Sequence, residues 1–109
     1  MRIIGGIAKG KNLFSPPETT RPTSDRAREG LFSSLESEFG SMADLNFLDL
    51  YSGSGAVGVE ALSRGASRVV SVERHQPTAL IAEKNFELVK GTDGYFEVIL
   101  SDVKKYLGN

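Results

Sequence analysis

Hydrophobic residues recur with two different periods along this chain. Ala27, Leu31, Leu35 and Phe39 step by four, with Phe32 beside them, which puts one apolar stripe on a helix running to about Phe39. The helix starts in Arg21-Pro22-Thr23-Ser24-Asp25, where Thr23 or Ser24 can cap and Asp25 suits the first turn; Gly40 ends it. The stripe is expected to be core packing. Further along, Phe47-Leu48-Asp49-Leu50, Val69-Val70-Ser71-Val72 and Phe96-Glu97-Val98-Ile99-Leu100 are short runs of strand type. A helical pattern from Ala56 to about Arg64, closed by Gly65, separates the first two. A second, opening at Pro77 and spaced by Ala79, Ala82, Phe86 and Val89, separates the last two. The order β-α-β-α-β predicts parallel strands with right-handed crossovers.

Residues 1–14 read as a hairpin. Arg2-Ile3-Ile4 is β-prone, Lys9-Gly10-Lys11 offers a turn, and Asn12-Leu13-Phe14 returns before Ser15-Pro16-Pro17 breaks regular structure. The chain thus divides into an N-terminal hairpin and helix, residues 1–44, and a βαβαβ unit, residues 45–109.

Composition adds exclusions. The 109 residues fit one ordinary domain, and 39% hydrophobic with 25% charged is a globular balance. Without cysteine there are no disulfides, thiolate metal sites or cysteine nucleophiles. No apolar run approaches the roughly 20 residues of a membrane span, and Met1-Arg2-Ile3-Ile4-Gly5-Gly6 lacks a signal-peptide core, so a cytoplasmic protein with no membrane partner is expected. Only one histidine, His75, is present, so no histidine pair exists to build a metal site. The net charge of −1 hides an asymmetry. Residues 1–30 carry six basic and three acidic side chains (+3), and the other 79 carry seven and eleven (−4). A basic leading segment on an acidic body points to a polyanionic partner, with chance on a small sample as the plainer reading.

The chemistry centres on Gly53-Ser54-Gly55-Ala56-Val57-Gly58, a G-x-G-x-x-G turn between a predicted strand and a predicted helix. Glycine lets the backbone turn tightly and lets a ligand approach the main chain, and the new helix offers unpaired N–H groups. A dinucleotide would set its pyrophosphate there. However, Asp49 lies four residues before Gly53, Glu73 ends the second strand, and Asp102 ends the third. Three carboxylates at successive strand ends suit a cationic nucleoside such as S-adenosylmethionine better than a diphosphate. Each acid taken singly could equally be a cap or a solvated strand end. The dinucleotide alternative stays open at this point. Lys9-Gly10-Lys11 is not a phosphate loop, because the G-x-x-x-x-G-K-S/T spacing is absent.

Three blocks together resemble the bacterial small-subunit (16S) ribosomal RNA guanine-N2 methyltransferases. They are Met1-Arg2-Ile3-Ile4-Gly5-Gly6, then Arg21-Pro22-Thr23-Ser24-Asp25-Arg26-Ala27-Arg28-Glu29-Gly30-Leu31-Phe32, then the stretch from Asp49-Leu50-Tyr51-Ser52-Gly53-Ser54-Gly55 to Gly65-Ala66. The resemblance implies a class I S-adenosylmethionine methyltransferase fold, Rossmann-like α/β, here incomplete and preceded by the hairpin and helix. It implies cofactor binding by Asp49, Tyr51, Ser52, Gly53, Ser54, Gly55 and Gly58, with Glu73 on the ribose and Asp102 and Val103 on the adenine. It implies ribosomal RNA, free or in the small subunit, as partner, with Arg2, Lys9, Lys11, Arg21, Arg26 and Arg28 on its phosphates.

One feature of that group is missing. Its catalytic Asp/Asn-Pro-Pro-Tyr/Phe motif has no counterpart: the single Pro-Pro is Pro16-Pro17, followed by Glu18. No catalytic residue is therefore assigned, strands four to seven are expected to be missing, and the first strand should leave a raw sheet edge. The 109 residues are expected to bind cofactor weakly and to transfer no methyl group. The alternatives are a non-catalytic RNA-binding module with a degenerate cofactor site, or a fragment of a dinucleotide-binding oxidoreductase.

Overall fold

Ser24 opens the first helix with its hydroxyl accepting from the Ala27 N–H at 3.0 Å, and Gly40, at φ 77°, closes it. The computed structural model describes residues 1–15 and 24–108. Within them the order is α1 (Asp25–Phe39), β1 (Asn46–Asp49), α2 (Ala56–Ser63), β2 (Arg68–Glu73), α3 (Gln76–Glu87), β3 (Tyr95–Leu100) and α4 (Val103–Gly108). The three strands form one parallel sheet, β1-β2-β3. Phe47, Val69 and Phe96 stand in register, as do Leu48, Val70 and Glu97. The sequence pattern anticipates every strand and the first three helices to within a residue or two. The short helix α4 lies outside that reading.

The helices α2 and α3 cover one sheet face. Phe86 of α3 stacks on Phe96 at 4.8 Å between ring centroids, and Phe32 of α1 meets Phe47 at 6.0 Å. Ile3, Phe32, Val59, Leu62, Val69 and Phe86 are among the buried core residues. Among the described residues no strand lies beyond β1 or β3, and the opposite face is only partly covered: Tyr106 of α4 lies beside Leu48, Arg68 and Val70, while Leu48 stays 51% and Tyr95 55% exposed.

Two expectations need correction. The stripe stepping by four on α1 is not the buried face: Leu31 is 42% and Phe39 56% exposed. The buried positions are Arg28 and Phe32, flanked by a half-buried Leu35. A helix pattern scored on apolarity alone misses this face because an arginine sits on it. The N-terminal hairpin also forms differently. Arg2 and Asn12 make a single antiparallel bridge, with Ile3 N–H donating to Lys11 O and Leu13 N–H to Met1 O, both at 2.9 Å. No longer ladder develops, because the next backbone groups turn to α2: Ile4 and Gly5 N–H donate to Glu60, and Ile7 N–H donates to Ser63 O.

Among the described residues, no helix is long and apolar enough to cross a membrane, and no group of three or more His, Asp or Glu could hold a metal ion.

Candidate cofactor cleft at the strand ends

The turn after β1 folds back on itself through Gly55 N–H to Ser52 O at 2.9 Å, and Ser52 N–H ties it to Val72 O of β2 at 3.0 Å. Gly53 and Gly55 take φ 55° and 78°, a backbone that side-chain-bearing residues rarely adopt. Gly55 is the N-cap of α2, and no side chain caps that helix. Beneath the turn, a Cβ on Gly58 would stand 2.8 Å from both Phe86 and Val69, so this glycine lets α2 lie close on the sheet.

Glu73 organises the site. Its Oε1 accepts from Gly53 N–H at 3.0 Å and its Oε2 from His75 N–H at 2.8 Å. Each oxygen keeps a lone pair for a further donor. Asp49, at the end of β1, accepts from Tyr51 N–H at 3.2 Å. Burial pushes its pKa up, the Tyr51 N–H works against that, and the Glu73 charge adds to it. Asp102 accepts from Lys105 N–H at 3.0 Å and so caps α4.

An open cleft of about 380 Å³ runs along these strand ends, lined by Leu50, Tyr51, Val72, Glu73, Arg74, Asp102, Val103 and Lys104. It brings together Tyr51, Glu73, Asp102 and Val103 of the residues expected from sequence. Tyr51 is 82% exposed at its rim. Asp49 ends β1, and Ser52 and Gly53 stand in the turn that follows it. Ser54 and Gly58 are buried, and their place is in the packing under the turn rather than in the cleft. Ser52 Oγ is buried without a hydrogen-bond partner among the described residues, an unusual state for a hydroxyl. A cationic nucleoside fits this donor and acceptor set: carboxylates at three strand ends, a spare hydroxyl, and a glycine turn beside them.

The basic residues expected at a phosphate backbone separate into three groups. Arg2, Lys9, Lys11 and Arg26 are exposed, although Lys11 Nζ also donates to Leu88 O at 3.1 Å. Arg21 lies outside the described residues. Arg28 is a correction. It is 0% exposed, paired with Glu60 at 3.0 Å and with Asp25, and donates to Arg2 O at 2.9 Å. A guanidinium enclosed in this way cannot reach a phosphate.

Sequence reasoning passed over Asn85, Glu60 and Ser63. Asn85 is fully buried; it donates to Ser54 O at 2.9 Å and to Phe14 O at 3.1 Å, and accepts from Phe14 N–H at 2.7 Å. It locks the glycine turn to α3 and to the N-terminal segment. The available signal was its position three residues after Ala82 on the apolar face of α3.

Comparison with known proteins agrees with this geometry. The family model described as "Conserved hypothetical protein 95" matches residues 1–109. "Ribosomal RNA small subunit methyltransferase D" of Escherichia coli (strain K12) is 37% identical over 108 residues, covering 98% of this chain and 52% of the relative. The Haemophilus influenzae protein of the same name is 37% identical over 100 residues, covering 91% of this chain and 50% of the relative. The solved yhhF protein of Escherichia coli, named as a methyltransferase, superposes with TM-score 0.83 at 33% identity, covering 100% of this chain and 56% of that one. The chain spans about half the length of the curated relatives it matches. With a parallel βαβαβ sheet, a glycine turn and acids at three strand ends, it carries an incomplete Rossmann-like methyltransferase fold, and it belongs to the family Conserved hypothetical protein 95.

Proposed function

We infer that this chain supplies the donor side of an S-adenosylmethionine-dependent RNA methyltransferase acting on the exocyclic amine of a guanine in small-subunit ribosomal RNA. The observation that carries the reading is Glu73, whose two oxygens are aimed by the N–H groups of Gly53 and His75 while each keeps room for a ribose hydroxyl. Relatives named as small-subunit ribosomal RNA methyltransferases support the substrate class.

In this reading Glu73 holds the ribose, Asp102 and the Val103 main chain hold the adenine, and Asp49, Ser52, Gly53 and Gly55 hold the methionine end. When bound, the sulfonium supplies an electrophilic methyl group. Asp49 places a carboxylate near that positive charge, which a diphosphate would not tolerate; this disfavours a dinucleotide. Ser52 gains a partner for its buried hydroxyl. Tyr51 closes the rim. The exposed Arg2, Lys9, Lys11 and Arg26, with Arg21, face the RNA backbone, so residues 1–44 act as the RNA-facing extension and residues 45–109 as the donor half, in the cytoplasm. Most of the rate in such a transfer comes from alignment and exclusion of water.

Isothermal calorimetry with S-adenosylhomocysteine should show weak 1:1 binding and none with NAD; the reverse order would sink the reading. These 109 residues, which hold no Asp/Asn-Pro-Pro-aromatic motif, should by themselves transfer no methyl group to ribosomal RNA. Measured turnover would show that the motif is dispensable.

A further inference from the structure

Helix α2 is engaged at both ends. It begins at the glycine turn, and its last two turns grip the N-terminal segment. Glu60 is completely buried and receives four donors. Oε1 accepts from Ile4 N–H at 2.9 Å and Arg28 Nη1 at 3.0 Å; Oε2 accepts from Gly5 N–H at 2.8 Å and Arg64 Nε at 2.8 Å. Three residues on, Ser63 Oγ accepts from Ala8 N–H at 3.0 Å and donates to Gly5 O at 2.7 Å, while Ser63 O accepts from Ile7 N–H at 2.8 Å. Gly6 makes this approach possible. Its φ is +81°, and a Cβ there would lie 1.9 Å from Ser63 O. Arg64 also reaches Glu36 of α1 and lies over the Phe32 ring at 5.2 Å. Segment 4–8 is therefore fastened to α2 rather than to its own hairpin partner.

We propose that Glu60 and Ser63 are positioning residues that fix the basic hairpin, with Arg2 and Lys9, at a set distance from the donor turn. This rests on the reading of that hairpin as the RNA-facing surface. The eight residues of α2 act as a rigid spacer of roughly 12 Å, at about 1.5 Å per residue. The two ligands are brought together by this spacer and not by a flexible linker. Neither residue touches the cofactor cleft, so both act through the segment they hold.

The test uses the 109-residue chain with Ser63→Ala, which leaves every buried charge in place, and Glu60→Gln, which turns an amide donor toward existing donors. Three quantities are read: amide exchange of Ile4, Gly5, Ile7 and Ala8; affinity for a small-subunit ribosomal RNA hairpin; and affinity for S-adenosylhomocysteine. Ser63→Ala should speed exchange at Ile7 and Ala8 about tenfold, weaken RNA binding about fivefold and move cofactor-analogue affinity less than about twofold. Glu60→Gln should act more strongly at Ile4 and Gly5 in the same direction. Equal losses of RNA and analogue binding in Ser63→Ala would make the residues structural only and overturn the proposal. Faster exchange with RNA affinity unchanged would overturn it as well. A parent chain that binds the analogue but no RNA would instead remove the RNA assignment itself, and the proposal with it.

Discussion

Gly53 and Glu73 are joined across the head of the sheet: the Gly53 N–H donates to Glu73 Oε1 at 3.0 Å, so the turn after β1 and the end of β2 share one carboxylate. The ligand contact and the shape of the turn therefore depend on the same group. Glu73→Gln keeps the size but replaces one acceptor with a donor facing a backbone N–H. Hydrogen bonds to charged groups contribute about 1.5–3 kcal/mol, so S-adenosylhomocysteine affinity should fall roughly 10- to 100-fold. Calorimetry reads this directly; an unchanged Kd would remove Glu73 from the site.

Asp49 shows a conflict between binding and stability. Burial raises its pKa above the ordinary 3.8, with the Glu73 charge adding to the rise, so the folded state favours the protonated form more than the unfolded state does. The stability this contributes is fully present below pH 3.8 and is lost as pH rises through the raised value. At neutral pH this shift therefore weighs against folding. Asp49→Asn should therefore raise Tm at pH 7 while weakening S-adenosylhomocysteine, whose ammonium loses its counter-charge. In the parent chain, analogue affinity should drop as pH falls through the raised Asp49 value, and Asp49→Asn should flatten that dependence. A Tm of the variant below that of the parent at pH 7 would contradict the assignment.

The three strands, the first three helices and the acids that follow the strands are legible in sequence because each rests on short-range rules: period two, period 3.6, a glycine turn, a cap. The face of α1 was not. Arg28 reads as a surface cation in sequence, yet it lies in the core because Glu60, 32 residues away, supplies the opposite charge. Only the fold reveals that pairing, and removing one member of such a pair costs far more than an apolar count would indicate. Asn85 and Ser63 were passed over for the same reason. Their partners are main-chain groups of Phe14, Ser54, Gly5, Ile7 and Ala8, and backbone carries no side-chain signature in a sequence.

Arg28 and Lys9 should consequently behave as opposites. Lys9 is exposed on the hairpin, so Lys9→Gln should leave Tm unchanged and lower the slope of log affinity for RNA against log salt by about 0.7–0.9. Arg28→Met leaves Glu60 buried with fewer donors and should cost about 3–5 kcal/mol. That is a large part of the stability of a domain this size, so the chain should be partly unfolded at 37 °C. Denaturant titration and salt-dependent anisotropy separate the two. A full-strength Tm in Arg28→Met would mean the buried pair contributes little.

Asn85→Leu gives the most direct test of how the glycine turn is held. Leucine nearly matches the size of asparagine but leaves Ser54 O and Phe14 O without the amide donor and Phe14 N–H without its acceptor. Each buried group left unpaired costs about 1–3 kcal/mol, and solvent reaching the half-exposed Phe14 end softens the total, so a loss of roughly 2–5 kcal/mol is expected. The effect should also appear at the site. With Ser54 O released, the turn between Ser52 and Gly55 loses its anchor to α3, and analogue affinity should fall even under conditions where the variant is fully folded. Measuring S-adenosylhomocysteine binding at low temperature, beside a melting curve, distinguishes the two contributions. Lower stability with parent-like affinity would mean the turn holds its shape through Glu73 and the Gly55–Ser52 bond alone, and that Asn85 serves only to pin the N-terminal segment.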